Sequence, residues 1–180
     1  MNKLEFNNIP EKDRMNRVLE GTAFYASVHK PNLSAAKKFG SAPAFMLNLG
    51  LDDNGVKQAK LFGLKIHPAD AIINMPYVKI QRKIKDGKTE EDTRPDVVDT
   101  EQKPLPKTML IGNGSKVAVK FGTYWYDTQG GGVGTVLFKV LVRALVPFTP
   151  STKDKDLLAY AGGFTVADEN SESNLEEFDA

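Results

Sequence analysis

The chain has no cysteine among its 180 residues, which excludes disulfides and thiolate metal sites. Its two histidines, His29 and His67, have no partner at ligand spacing, so no zinc site is expected. No stretch approaches the roughly 18 apolar residues of a membrane span. Met1 to Pro10 alternates polar and apolar residues without an apolar run, so no secretory signal is expected there. A soluble, intracellular chain is the expectation. Net charge is also scarce, at +1 from 24 Lys and Arg against 23 Asp and Glu. That balance is uneven along the chain. From Ala167 to Ala180 there are six acids and no base, so the preceding 166 residues carry all 24 bases against 17 acids, a net of +7. A basic body with an anionic end points towards nucleic acid, with the end as an interaction segment or a solubility aid.

Catalytic patterns are thin. Ser27, Ser34 and Ser115 lack the context of a nucleophile elbow. Gln129 to Thr135 is glycine-rich but has no Lys-Ser/Thr at its end, so it reads as a flexible connector and not a phosphate loop. Pro95-Asp96 followed by Glu101-Gln102-Lys103 matches the PD…ExK order of Mg²⁺-dependent nucleases. That chemistry needs carboxylates on rigid strands, whereas Thr89 to Thr108 is charged, proline-bearing and aperiodic, and reads as a long surface loop. Neither a metal nor another cofactor is expected.

What is abundant is alternation. Gly21 to Lys30 is aromatic and β-branched and ends at Pro31-Asn32. Ala44 to Leu51 places Phe45, Leu47, Leu49 and Leu51 on one face. Val56, Ala59 and Phe62 then recur at helical spacing, with Asp52 or Asp53 as cap and Gly63 as stop. Met75 to Lys85 is a strand closed by the Asp86-Gly87 turn. Ser115 to Tyr126 is a strong strand, and Val136 to Val146 is apolar nearly throughout, hence buried on both sides or bent. Ser151 to Leu158 begins a short helix. The chain length fits one domain, and the fold expected is mainly β: a five-stranded OB-fold-like barrel with one short helix, long loops and a disordered acidic C-terminal tail. Periodicity alone leaves an SH3-like barrel or a β-sandwich open.

Two strands have informative faces, because side chains alternate at period two. In the first, Val117, Val119, Phe121 and Trp125 share a core face, and Lys116, Ala118, Lys120, Gly122, Tyr124 and Tyr126 point the other way. In the second, Val78, Ile80 and Ile84 oppose Tyr77, Lys79, Gln81, Lys83 and Lys85. Ammonium groups can track the phosphates of a single strand, while aromatic rings stack its unpaired bases at roughly 1–3 kcal/mol each. A merely solvated face would show the same residue types, since lysine and tyrosine both suit exposed strands.

The block LIGNGSKVAVKFGTYWY, with PDVVDTEQKPLPK before it and VGTVLFKVLVRALVPF after it, resembles single-stranded DNA-binding proteins of tailed phages. GTAFYASVHKPN, FMLNLGLD and PYVKIQRK are similar to the same family, as is the ending Glu176-Glu177-Phe178-Asp179-Ala180. The resemblance covers about Gly21 to Gly163 plus the tail. It implies an OB-fold that coats single strands in replication, recombination and repair with little sequence preference, in the cytoplasm of an infected bacterium. It implies groove roles for Tyr77, Lys79, Lys116, Lys120, Tyr124 and Tyr126. It also implies a tail that competes with DNA and contacts replication proteins such as a polymerase or helicase/primase, with Phe178 as its aromatic anchor. The chain departs from the family in ending two residues beyond Phe178, and its helix falls between the second and third strands, whereas the commoner OB pattern places it after the third.

The organisation expected is a binding domain over 1–166 and an interaction tail over 167–180. Tyr77, Lys79, Gln81, Lys83, Lys116, Lys120, Tyr124 and Tyr126 are the expected single-stranded DNA contacts, and Glu176, Glu177, Phe178 and Asp179 the partner-binding tail. A homodimer is left open. Two other readings stand beside this one: a structural or assembly protein using the Tyr124–Tyr126 patch, and a nuclease using Asp96, Glu101 and Lys103.

Overall fold

The structure, a computed structural model, describes residues 1–148. The helix expected from Ser151 and the acidic segment bearing Glu176, Glu177, Phe178 and Asp179 lie outside the described residues. Met1–Phe148 forms one compact unit. Its strands are β1 (Arg17–Asn32), β2 (Ala44–Gly50), β3 (Ile66–His67), β4 (Tyr77–Lys83), β5 (Asp96–Val98), β6 (Ser115–Tyr126) and β7 (Gly132–Ala144). Its helices are α1 (Lys3–Asn7), α2 (Glu11–Arg14), α3 (Ser34–Phe39), α4 (Asp53–Leu61) and α5 (Glu90–Thr93). The seven strands form one sheet in the order β3-β4-β2-β1-β6-β7-β5. The mainly β, barrel-like architecture is as expected, and its five long strands are those expected; β3 and β5 are two short strands beyond the five.

Strand β1 makes the barrel by serving two partners. Arg17 to Ala23 pairs with β6 and Thr22 to Asn32 with β2. Where the ladders overlap the strands crowd together, and a Cβ on Gly21 would sit 2.2 Å from the Gly50 carbonyl oxygen. The bend follows at once. The β1–β2 register shifts between Phe24 and Ser27, and Tyr25 takes a left-handed φ of 49°. Asn113 Oδ1 accepts the Tyr25 N–H at 2.8 Å, and the Gly114 N–H donates to the Ala23 carbonyl at 2.9 Å. The IGNGS block thus acts as a staple on the bend of β1.

Period two sets the core. Leu19, Leu47, Leu49, Ile80, Val119, Phe121, Leu137 and Val140 are all fully buried inside the curved sheet. Helix α4 covers one end with Ala59; Asp52 is its cap, accepting the Gly55 N–H at 2.7 Å. The helix lies between the second and third long strands, as its spacing predicts. The sheet remains open between β4 and β7, which lie side by side. The Gln81 N–H donates to Thr135 Oγ1 across this seam at 3.0 Å.

Three expectations need correction. Thr89 to Thr108 is not a featureless loop: it holds α5 and β5, and Val97 and Val98 are buried. Strand β5 pairs in parallel with β7, a non-local partner that local periodicity cannot reveal. Gly132 to Gly134 is not connector but the start of β7; the turn is residues 127–131, a single 3-10 turn over Thr128–Gly130 that ends on Gly130 and Gly131 at φ 87° and 78°. Beyond the expected α4, the described residues also form α1, α2, α3 and α5, each too short to show a helical period. The apolar strand β7 is bent, with register shifts near Lys120/Phe121 and Lys116/Val117.

Candidate nucleic-acid interface

The faces of β4 and β6 are those that alternation predicts. Val117, Val119 and Phe121 are buried, while Lys116, Lys120, Tyr124 and Tyr126 are exposed. On β4, Val78 and Ile80 are buried and Lys79 and Lys83 exposed. Trp125 is half-buried on the core side. Its ring lies 5.9 Å from that of Phe6, and its Nε1 donates to Asp127 Oδ1 at 3.0 Å.

The curl of the sheet puts the outer face of β4 beside the far end of β6 and β7. Between them lies an open cleft of about 440 Å³. Lys65, His67, Lys79, Gln81 and Lys83 line one wall, and Tyr124, Tyr126, Gly134 and Thr135 the other. No carboxylate lines it among the described residues. Lys65, Lys79 and Lys83 form no ion pair among the described residues, so three positive charges face the cleft unneutralised. Tyr77 joins through His67, whose ring stacks on it at 5.0 Å with planes 16° apart. Burial, and then the charges of Lys65 and Lys79, hold the His67 imidazole below its usual pKa.

The cleft continues past Tyr124. A second hollow of about 770 Å³ shares Gln81, Lys83, Tyr124 and Thr135 with the first and adds Arg82, Lys85 and Lys88. Met15 and Val136 give it apolar wall, and two acids, Asp86 and Asp92, also line it. The Arg82 guanidinium lies 5.9 Å from the Phe138 ring centre. A third, smaller hollow on the other side of β4 again borders Lys79, Gln81 and Lys83, facing Asn32 and Met46. The face of β4 is thus the common floor of a basic track.

Six of the eight expected contacts, Tyr77, Lys79, Gln81, Lys83, Tyr124 and Tyr126, gather at this track; Lys116 and Lys120 do not. Lys116 borders a separate hollow with Glu20 and Arg143 and donates to Thr22 Oγ1 at 2.7 Å. Lys120 is paired across the sheet with Val18 and Lys139. Met15 and Phe138 close over Gly122, between Lys120 and Tyr124. Parity groups all these residues on one face of β6, but a strand this long spans two regions of the barrel surface. Lys65, His67, Arg82 and Lys88 went unread as site residues. The sequence signal for the first two is only the short alternation of Lys65-Ile66-His67, and Arg82 shares parity with the core residue Ile80.

The nuclease residues sit elsewhere. Asp96 is exposed on β5 beside Lys139 in the ladder. Lys103 Nζ and Glu101 Oε2 are ion-paired at 2.6 Å on an exposed turn, which Asp99 holds by accepting the Glu101 and Lys103 amides. Among the described residues no three His, Asp or Glu converge as a metal site.

Comparison with solved structures places this arrangement. Gp2.5, a single-stranded DNA-binding protein encoded by bacteriophage T7, superposes with a TM-score of 0.55 at 21% identity, over 73% of this chain and 92% of that one. The single-stranded DNA-binding protein of bacteriophage Enc34, in complex with ssDNA, gives 0.55 at 17% identity, over 75% and 90%. This is the fold of the phage single-stranded DNA-binding proteins. No family model and no curated protein matches the sequence. Within that fold, the IGNGS block that carries the sequence resemblance is the staple on β1, and the lysine-tyrosine track lies on β4, β6 and β7.

Proposed function

We propose that this chain belongs with the phage single-stranded DNA-binding proteins and coats single-stranded DNA without catalysis. The observation that carries the reading is one cleft with unpaired Lys65, Lys79 and Lys83 facing exposed Tyr124 and Tyr126, in a fold shared with such proteins. Phosphates follow the lysines and bases stack on the tyrosines, with Gln81 and Tyr77 along the same track. Lys116 and Lys120 contact only a strand that runs beyond the cleft across β6. The acidic segment from Ala167, with Glu176, Glu177, Phe178 and Asp179, competes with DNA when DNA is absent and recruits polymerase or helicase when displaced. Tethering keeps it at roughly millimolar effective concentration, enough for a weak polyanion to compete. On this reading the protein serves replication, recombination and repair in an infected bacterium.

The test is a fluorescence titration with single-stranded, duplex and RNA oligonucleotides of equal length at two salt concentrations, with Mg²⁺ present. Single-stranded DNA is expected to bind well above duplex, with every oligonucleotide left intact. Equal affinity for duplex at matched salt refutes the reading, and cleavage of the label replaces it with the nuclease.

A further inference from the structure

Gly132 and Gly134 stand directly across the β6–β7 ladder from Tyr126 and Tyr124. Each glycine leaves a space that the opposite ring fills. A Cβ on Gly134 would lie 2.4 Å from Tyr124 Cζ and 2.8 Å from its Oη. A Cβ on Gly132 would lie 2.5 Å from Tyr126 Oη and 2.8 Å from its Cζ. Both rings therefore lie down across β7 instead of standing off the sheet. Yet both tyrosines remain exposed, at 43% and 38%, so each ring fills the space over its glycine and still presents surface to solvent. Neither glycine needs its special backbone freedom, because neither has a left-handed φ. The tyrosine ring is what excludes a larger residue.

Two residues of strand separate the rings by roughly 6.8 Å, twice the roughly 3.4 Å per nucleotide along a stacked strand. The rings lie side by side on one face. Two neighbouring bases can each cover one ring only if they are not stacked on each other.

We propose that Gly132 and Gly134 are positioning residues that lay Tyr126 and Tyr124 flat as a two-ring platform, which holds two adjacent bases of single-stranded DNA unstacked. This rests on the function proposed above. The three atoms nearest a methyl group at either glycine all belong to the outer end of a tyrosine, so the barrel should survive while the platform is lost.

The test is a double-mutant cycle on the full chain, with anisotropy of a labelled oligothymidylate as readout. Gly134→Ala should weaken binding by about 5- to 150-fold, the range of one lost stacking contact. In the Tyr124→Ala background the same substitution should change affinity by less than about twofold, because the ring it acts through is gone. Gly132→Ala with Tyr126→Ala forms a second, parallel cycle should one variant fail to fold. An oligonucleotide with two adjacent 2-aminopurines should brighten on binding wild type, as its bases unstack, and brighten less with Gly134→Ala. In the free protein, the Gly134 α-protons should carry a ring-current shift that Tyr124→Ala removes. Effects that simply multiply in both cycles, or a Gly134→Ala variant that binds as wild type, overturn the proposal and leave DNA binding standing. Absence of the ring-current shift overturns it without reference to DNA. Wild type that binds no oligonucleotide overturns the functional reading, and the platform's ligand with it.

Discussion

Replacing Lys79 and Lys83 together by alanine removes two of the three ammonium groups that face the cleft. For single strands each phosphate contact contributes about 0.7 to the log–log dependence of affinity on salt. The double variant should therefore flatten that slope by about 1.4, so that its deficit against wild type shrinks about sevenfold between 50 and 200 mM salt. Lys116→Ala with Lys120→Ala removes the same formal charge from outside the cleft. Lys116 already donates to the Thr22 hydroxyl, and the cover of Met15 and Phe138 over Gly122 lies between Lys120 and Tyr124. With an oligothymidylate of about eight nucleotides, within the site size of a single barrel of this kind, this second pair should leave the slope unchanged. The assay is anisotropy at five salt concentrations for wild type and both variants, with circular dichroism to confirm folding. A slope lowered by the Lys116/Lys120 pair and untouched by the Lys79/Lys83 pair would refute the track along β4 and put the strand on the outer face of β6.

Tyr124→Ala and Tyr77→Ala should each weaken binding by roughly 1–3 kcal/mol at unchanged urea midpoint, as titration and denaturation of the same samples will report. Phe6→Ala should instead cost about 3–5 kcal/mol of stability, because that ring is fully buried against Trp125; Trp125→Ala should cost less, its ring being half-exposed, and urea melts measure both. His29 is buried, and burial, with Arg94 and Lys107 adding to it against the Met109 carbonyl, holds its imidazole below the usual 6.5. The unfolded chain then takes up a proton near pH 6.5 that the folded chain does not, so stability present above that pH should fall as the pH falls below it. His29→Gln should show a weaker decline in urea midpoint between pH 7.5 and 5.5, and an equal decline would exclude His29 as its source.

Local pattern reached as far as local causes do. The bounds of β6 agree with the alternation of Ser115 to Tyr126, because every second residue there meets the core. Helix α4 was legible from Asp52 and three apolar positions. The start of β7 was not, since Gly132 and Gly134 carry no β signal of their own and are strand because they pair with Tyr126 and Tyr124 across the β6–β7 ladder. Strand β5 escaped because its reason is β7, far along the chain. The site follows the same division. Which residues face outwards is written in each strand, but which of them share a cleft depends on β4 and β7 being brought together. That closure separates Lys83 from Lys120, two lysines on similar-looking faces.

The seam between β4 and β7 makes the barrel a clasp and not a hoop. A ladder there would fix the distance between the lysine wall and the tyrosine wall by a row of backbone bonds. Instead a single hydroxyl, Thr135 Oγ1, receives the Gln81 amide, and giving up such a bond costs about 0.5–1.5 kcal/mol. On the function proposed above, this seam is where the two walls would part for a larger base, since no strand pair joins β4 to β7 there. On the same reading, a surface built this way grades its occupants by fit only weakly, as a coat without sequence preference requires.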